Sequence, residues 1–284
     1  MRYESPTTTR EAVSLLAKEK GKAYVLAGGT DLLVRLRMDM IEPDLMVDIK
    51  RIPAMMEISK SATGFKIGAA VSGASLAKNK ALVKAWPGVV EAANLIGSDQ
   101  IQGRCSMAGN LCNASPAADS VPALIAAGAK AIIVGKKRRS VAVEKFITGP
   151  GRTVLEKGEM VEAISLPAKP SASGDAYLRF IPRTEMDIAV VGVAVSLTLK
   201  KGVIEKARVS LGAVAPTPLL VKAAAAAIVG TKLDEGALQK LAAACSAACN
   251  PIDDKRGTVE YRKRVAGVLA GRAAKIAYER AGGK

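Results

Sequence analysis

Ile96-Gly97-Ser98-Asp99-Gln100-Ile101-Gln102-Gly103-Arg104-Cys105-Ser106-Met107-Ala108-Gly109-Asn110 runs on through Leu111-Cys112-Asn113-Ala114-Ser115-Pro116-Ala117-Ala118-Asp119-Ser120-Val121-Pro122. The rest of the chain can be read outward from it. Small residues, amide side chains and a single late carboxylate gather in a polar turn between two apolar segments. Ala108-Gly109 leaves backbone open to close approach by a ligand. Ser106, Asn110, Asn113 and Ser115 offer hydroxyl and amide partners, and Asp119 could accept from sugar hydroxyls. A tight surface loop ahead of a helix would use the same residue types. A second glycine turn upstream shifts the balance toward a binding site. There, Lys22 to Ala27 reads as a short buried strand, Gly28-Gly29-Thr30-Asp31 as the turn and Leu32 to Arg37 as a helix. Strand, glycine turn and helix start together form an anion site. The pattern is not GxGxxG, so it does not indicate a Rossmann dinucleotide fold.

The remaining elements are read from periodicity and punctuation. Thr7 to Leu16 reads as a capped first helix. Asp44 to Ile49 and Gly64 to Ala69 are short strands; Leu76 to Trp86 and Val89 to Ile96 are helical. Pro122 to Gly128 is a helix turn, and Ala129 to Val134 with Ser140 to Val143 form a hairpin tipped by Lys136 to Arg139. Glu159 to Leu166 is a further strand. The Pro/Gly/Ser-rich segment Ala168 to Gly174 marks a boundary. Beyond it, Ala176 to Pro182, Ala189 to Leu199 and Val203 to Leu211 predict three antiparallel strands. Helices over Asp234 to Cys249 and Thr258 to Ala281 follow, the last with Tyr261, Val265, Val268, Leu269, Arg272 and Ile276 on one face. At 284 residues the chain has room for two domains of roughly 150 residues each.

Composition removes several function classes. There are no histidines, so the commonest general base and metal ligand are absent. The four cysteines, Cys105, Cys112, Cys245 and Cys249, form no CxxC pair, and all four read as packing residues in a reducing cytosol. Net charge is +16, but basic residues are spread along the chain and aromatics are only 3%, which argues against single-stranded nucleic acid. No run is long and apolar enough to span a membrane, and Met1 to Pro6 carries no apolar signal region. Asp31 reads as a helix-start residue, and Asp187 after Arg183 reads equally as a structural ion pair or a flavin contact.

Leu26-Ala27-Gly28-Gly29-Thr30-Asp31-Leu32-Leu33, Ser106-Met107-Ala108-Gly109-Asn110 and Asn113-Ala114-Ser115-Pro116-Ala117-Ala118-Asp119 occur in this order and separation. Together they resemble the FAD-binding subunit of the molybdenum hydroxylases, the xanthine, carbon monoxide and nicotinate dehydrogenase type. Arg183 to Ala189 and Tyr261-Arg262-Lys263 resemble its C-terminal domain. The resemblance implies an α+β fold. Its FAD-binding domain, of the vanillyl-alcohol-oxidase/PCMH type, would span residues 1–168 in subdomains of about 1–55 and 56–168. A three-stranded antiparallel sheet with a helical bundle would span 175–284. It implies FAD in this chain, with no catalytic side chain of its own. A large partner subunit would carry the molybdenum cofactor and a small one two [2Fe-2S] clusters, in a cytoplasmic dimer of heterotrimers that passes electrons to NAD+ or another acceptor.

Position by position, the resemblance places Val25, Leu26, Ala27, Gly28, Gly29, Thr30, Asp31 and Leu32 around the FAD pyrophosphate. Ser106, Met107, Ala108, Gly109 and Asn110 would hold the pyrophosphate and flavin region, and Asp119 a ribose or ribityl hydroxyl. Ile96 and Gln100 would lie along the cofactor, Val161 near the adenine, and Arg179 and Ile188 near the isoalloxazine. Ala108 stands where the family has a first glycine, which requires a negative φ there. Arg179 stands where many members have Lys. Two other readings fit the same residues: a stand-alone flavoenzyme of the vanillyl-alcohol-oxidase or muramate-dehydrogenase type, and a non-enzymatic basic binding protein.

Overall fold

The computed structural model describes residues 1–283. Three short strands open the fold: β1 (Arg2–Glu4), β2 (Ala23–Leu26) and β3 (Leu45–Asp48). They form a parallel sheet in the order β1-β3-β2. Every residue of the central strand β3 is buried, as expected when both faces of a parallel strand are covered. Helix α1 (Thr9–Lys18) joins β1 to β2. Thr8 caps it by accepting from the Glu11 N–H, while the Glu11 carboxylate accepts from the Thr7 N–H. Helix α2 (Leu32–Arg37) follows β2 and buries none of its residues.

A five-stranded antiparallel sheet comes next, in the order β4 (Ile58–Ser61), β5 (Gly64–Gly68), β10 (Met160–Pro167), β6 (Lys130–Val134) and β7 (Arg138–Ala142). β10 is its central, buried strand, and its register against β6 shifts between Val161 and Ala163. Such a bulge re-aims the side chains beside it. The basic run at Lys136 to Arg139 only partly forms the hairpin tip: Arg138 and Arg139 lie in β7 and pair with Glu162 and Glu159. Between β5 and β6 lie six helices: α3 (Gly73–Lys78), α4 (Lys80–Ala85), α5 (Pro87–Asn94), α6 (Asp99–Gln102), α7 (Met107–Asn113) and α8 (Ser120–Ala126). The expected helix over Leu76 to Trp86 is broken in two at Asn79, whose side chain caps α4 through the Leu82 N–H. The expected polar turn around Gly109 likewise contains a helix, α7, started by the Ser106 side chain. A small two-stranded ribbon, β8 (Ile147–Gly149) and β9 (Arg152–Thr153), precedes β10.

The C-terminal sheet is antiparallel and holds four strands rather than three: β11 (Ser173–Phe180), β12 (Val191–Lys200), β13 (Val203–Gly212) and the two-residue β14 (Leu219–Leu220). A strand that short leaves no periodic trace in sequence. Alternation along β12 sends Val191, Val193, Val195 and Leu197 into one core and Ala194 into the other. The first core is shared with α9 (Lys222–Ile228), α10 (Glu235–Ala248) and α11 (Val259–Arg280); the second belongs to the N-terminal part. α5 and α8 pack on this sheet from that N-terminal side.

The buried face of α11 differs from the expected one. Val268 and Arg272 are exposed, and the stripe against the sheet and α10 is Ala266, Ala270, Ala273, Ala274 and Ala277 with Leu269. Small residues win because the helix lies so close to its neighbours: a Cβ on Gly267 would stand 2.9 Å from the Ala242 carbonyl oxygen. Arg262 is buried despite its charge. It donates to the carbonyls of Val190 (2.8 Å) and Ala213 (3.2 Å) and to Asp254 (2.7 Å). Cys245 and Cys249 are buried on α10 and at its end, with the Cys249 thiol 3.1 Å from the Cys245 carbonyl oxygen.

Candidate functional site

The turn after β2 and the start of α7 face each other across one cavity of about 480 Å³. That size lies within the range of small-molecule sites. Val25, Ala27, Gly28, Gly29, Thr30, Asp31 and Leu32 form one wall; Ser106, Ala108, Gly109, Cys112 and Asn113 form the opposite one. The two walls touch. A Cβ on Gly28 would fall 1.9 Å from the Arg104 carbonyl oxygen, so only glycine permits this approach. Asn113 Nδ2 donates to Asp31 Oδ1 at 3.3 Å and ties the walls a second time. Asp31 therefore does not cap α2 through its side chain, although it does precede the helix. Burial pushes its carboxyl above the usual range, with Arg35 pulling the other way.

The glycine turn carries unused donors. The N–H groups of Gly28, Gly29, Thr30 and Asp31 bond to no acceptor among the described residues. Gly29 has φ +78°, a left-handed conformation that glycine adopts without strain. On the other wall, Ser106 caps α7 by accepting from the Gly109 N–H at 3.0 Å. Ala108 is absent from the residues with positive φ, so its methyl group is tolerated in α7. A Cβ on Gly109 would meet only Ser106 Oγ, at 3.1 Å. Behind the glycine turn, Lys50 Nζ donates to the Ala27 carbonyl at 2.9 Å and to Asp48 Oδ1 at 2.7 Å. Tyr3 OH donates to Asp48 Oδ2 at 2.6 Å. Burial alone would raise the Asp48 carboxyl, but the bonds from Lys50 and Tyr3 hold it below the ordinary value.

Other residues expected to line a cofactor are placed differently. Val161 is on the cavity wall, next to the bulge in β10. Leu26, Met107 and Ile96 are buried and lie outside the cavity lining. Asn110 also lies outside it, its Oδ1 accepting from the Ser120 N–H at 3.1 Å and Oγ at 2.7 Å. Gln100 is exposed on α6, and Ile188 is exposed in the segment between β11 and β12. Asp119 and Arg179 form their own cluster. Arg179 Nη1 donates to Asp119 Oδ2 at 3.1 Å and to the Leu95 carbonyl at 2.7 Å, and Tyr177 OH approaches Asp119 Oδ1 at 3.5 Å. Burial pushes the Asp119 carboxyl up to about 6, with Arg179 lowering it. The Tyr177 hydroxyl is raised well above its ordinary value, mainly by burial.

Several lining residues carried no signal in the sequence. Ile49, Ala69, Gly151, Leu155 and Met160 reach the cavity from four separate segments. Glu159 lies at the cavity edge, held by Arg139 through two bonds of 2.8 and 2.7 Å. Cys112, read as packing, stands on the wall, and burial pushes its thiol up to about 12, so it is uncharged near neutrality. Arg183 pairs with Asp187 at 3.2 Å, and Arg256 joins the same carboxylate at 3.1 Å. No group of three or more His, Cys, Asp or Glu residues is arranged to hold a metal among the described residues. No helix among them is long and apolar enough to cross a membrane.

These residues suit FAD. A pyrophosphate needs several N–H donors and room beside the backbone, and the Gly28–Asp31 turn provides both. Residues 1–169 match the family described as "FAD binding domain in molybdopterin dehydrogenase". Residues 176–277 match "CO dehydrogenase flavoprotein C-terminal domain". The chain is 34% identical over 280 residues to the carbon monoxide dehydrogenase medium chain of Afipia carboxidovorans, covering 98% of this chain and 97% of that one. It is 29% identical over 285 residues to a xanthine dehydrogenase FAD-binding subunit of Escherichia coli, covering 99% and 97%. A solved structure of reconstituted CO dehydrogenase from Oligotropha carboxidovorans superposes with a TM-score of 0.94 at 33% identity, over 99% of this chain and 98% of that one.

Proposed function

The chain belongs to the family of FAD-binding subunits of the molybdenum hydroxylases, and on that premise we propose that it works as the electron outlet of such an enzyme. Electrons would arrive from [2Fe-2S] clusters in a small partner subunit, after substrate hydroxylation in a large subunit carrying the molybdenum cofactor. They would leave to NAD+ or another acceptor. The observation that carries this reading is the convergence of the Gly28 turn and the Gly109 turn on one cavity, with unused N–H donors on the first wall. One extended anionic ligand spanning both turns, some eighty residues apart in the chain, accounts for their opening on the same cavity.

FAD supplies the redox chemistry when bound; the protein supplies position and electrostatics. The Gly28–Asp31 N–H groups would hold the pyrophosphate, with Val25, Ala27 and Leu32 lining it. Ser106 fixes the start of α7 so that Ala108 and Gly109 present backbone rather than bulk to the ligand. Val161 would contact the adenine side. Asp119 and Arg179 would meet the ribityl and ring portions, with Ile96, Gln100, Met107, Asn110 and Ile188 as neighbours along the path. Residues 1–168 would form the FAD-binding domain of the PCMH type, split near residue 55, and 175–284 the second domain. The assembly would be a cytoplasmic dimer of heterotrimers.

The test is direct. The full chain, stripped of flavin, is titrated with FAD and with NADH plus an artificial dye. Stoichiometric FAD binding and NADH-dependent dye reduction without substrate hydroxylation are expected. Failure to bind FAD, or hydroxylation by this chain alone, would overturn the assignment.

A further inference from the structure

We propose that Lys50, anchored by Asp48, is a positioning residue that sets FAD affinity by clamping the Ala27–Gly28 peptide from behind. The inference rests on the FAD reading above. In the parallel pairing of β2 with β3, Leu26 stands opposite Asp48, so the chain leaving β3 passes beside the chain entering the glycine turn. Lys50 Nζ there bonds the Ala27 carbonyl at 2.9 Å and Asp48 Oδ1 at 2.7 Å. Asp48 is buried and further held by Tyr3 OH at 2.6 Å and by the Lys50 N–H at 3.0 Å. The ammonium group is thus gripped on two sides and has little freedom.

A trans peptide is planar, with its C=O and N–H pointing in opposite directions. No peptide bond among the described residues is cis. Holding the Ala27 carbonyl toward Lys50 therefore turns the Gly28 N–H away from it, and that N–H has no acceptor among the described residues. Ile49 lines the cavity but Lys50 does not, so the ammonium stands behind the turn. Its effect is orientation of a donor, with no direct contact to the phosphates.

The sign of one substitution separates these two roles. FAD affinity of the flavin-free full chain is measured by flavin fluorescence, with thermal unfolding of the same samples. Lys50→Met is expected to weaken FAD binding by about tenfold or more, equivalent to about 1.4 kcal/mol, with Lys50→Arg recovering most of the loss. Asp48→Asn keeps the positive charge but frees it, and is expected to weaken binding as well. A lysine acting directly on phosphate would instead bind more tightly once the competing carboxylate is gone. Wild-type affinity in Lys50→Met, or tighter binding in Asp48→Asn, overturns the clamp. Should Lys50→Met fail to fold, Asp48→Asn decides alone. An unmodified chain that binds no FAD would overturn both the clamp and the reading beneath it.

Discussion

The Gly28–Asp31 turn and the Asp119–Arg179–Tyr177 cluster are both polar, and they are built on opposite principles. The first exposes N–H groups that nothing among the described residues satisfies. The second satisfies itself: carboxylate, guanidinium, phenol and the Leu95 carbonyl bond to one another where the N-terminal part meets β11. The turn is half-buried to exposed, so water can meet these donors until a ligand with acceptor oxygens replaces it, and no bond within the protein has to break. A self-satisfied cluster at a junction holds two parts of a fold in register. Its members can still meet a cofactor, but only by exchanging bonds they already have.

Four substitutions or conditions would break or sharpen that contrast, in order of their effect on the ligand-free fold. Gly28→Val drives a Cβ into the Arg104 backbone at 1.9 Å, which no rotamer change relieves. It should cost about 4 kcal/mol in chemical unfolding and abolish FAD binding. Arg179→Met leaves Asp119 buried with only the distant Tyr177 hydroxyl and should cost about 3 kcal/mol. Little change there would mean the cluster is not what joins the two parts.

The Asp119 carboxyl also predicts a pH dependence. Its folded value of about 6 lies above the ordinary unfolded value near 3.9. The folded state thus holds its proton more tightly, and this group's contribution falls as pH rises from about 4 to about 6, then stays level. The span is up to about 3 kcal/mol. Asp119→Asn should lack that decline, so the difference between the wild-type stability profile and the variant's should show it. An identical pH profile in the two proteins would place Asp119 outside the low-dielectric junction.

Gly109→Val should disturb the fold least, by about 0.5 kcal/mol, because its Cβ meets only Ser106 Oγ. It should nevertheless weaken FAD binding by about a hundredfold or more, since the isopropyl group fills the space a ligand needs. Retained flavin in that variant would remove α7 from the binding wall.

Local pattern carried much of the architecture. The capped apolar run from Thr7 to Leu16 announced α1, and the stretch Ala189 to Leu199 announced β12. Where expectation and structure part, the reason is packing. The apolar pattern chose Val268 for the buried face of α11, yet close approach of α10 and the sheet selects alanine instead. Arg262 carries a charge that favours solvent, yet the carbonyls of Val190 and Ala213 give it interior partners. Gly174 read as part of a loose boundary segment; a Cβ there would stand 2.0 Å from the Ala277 carbonyl oxygen, so the residue is a packing contact.

What the chain's order of residues determined alone was the chemistry on offer: two glycine-bearing polar turns, no histidine, and a run of small and amide residues suited to a phosphate-rich ligand. Those properties are local, because backbone freedom and hydrogen-bonding capacity belong to individual residues and their immediate neighbours. Tertiary structure decided which turns meet, that Ile49, Gly151 and Met160 complete the cavity, and that Lys50 stands behind Ala27. Such placements depend on strand pairing and side-chain volume across long separations, and no short window of sequence contains them.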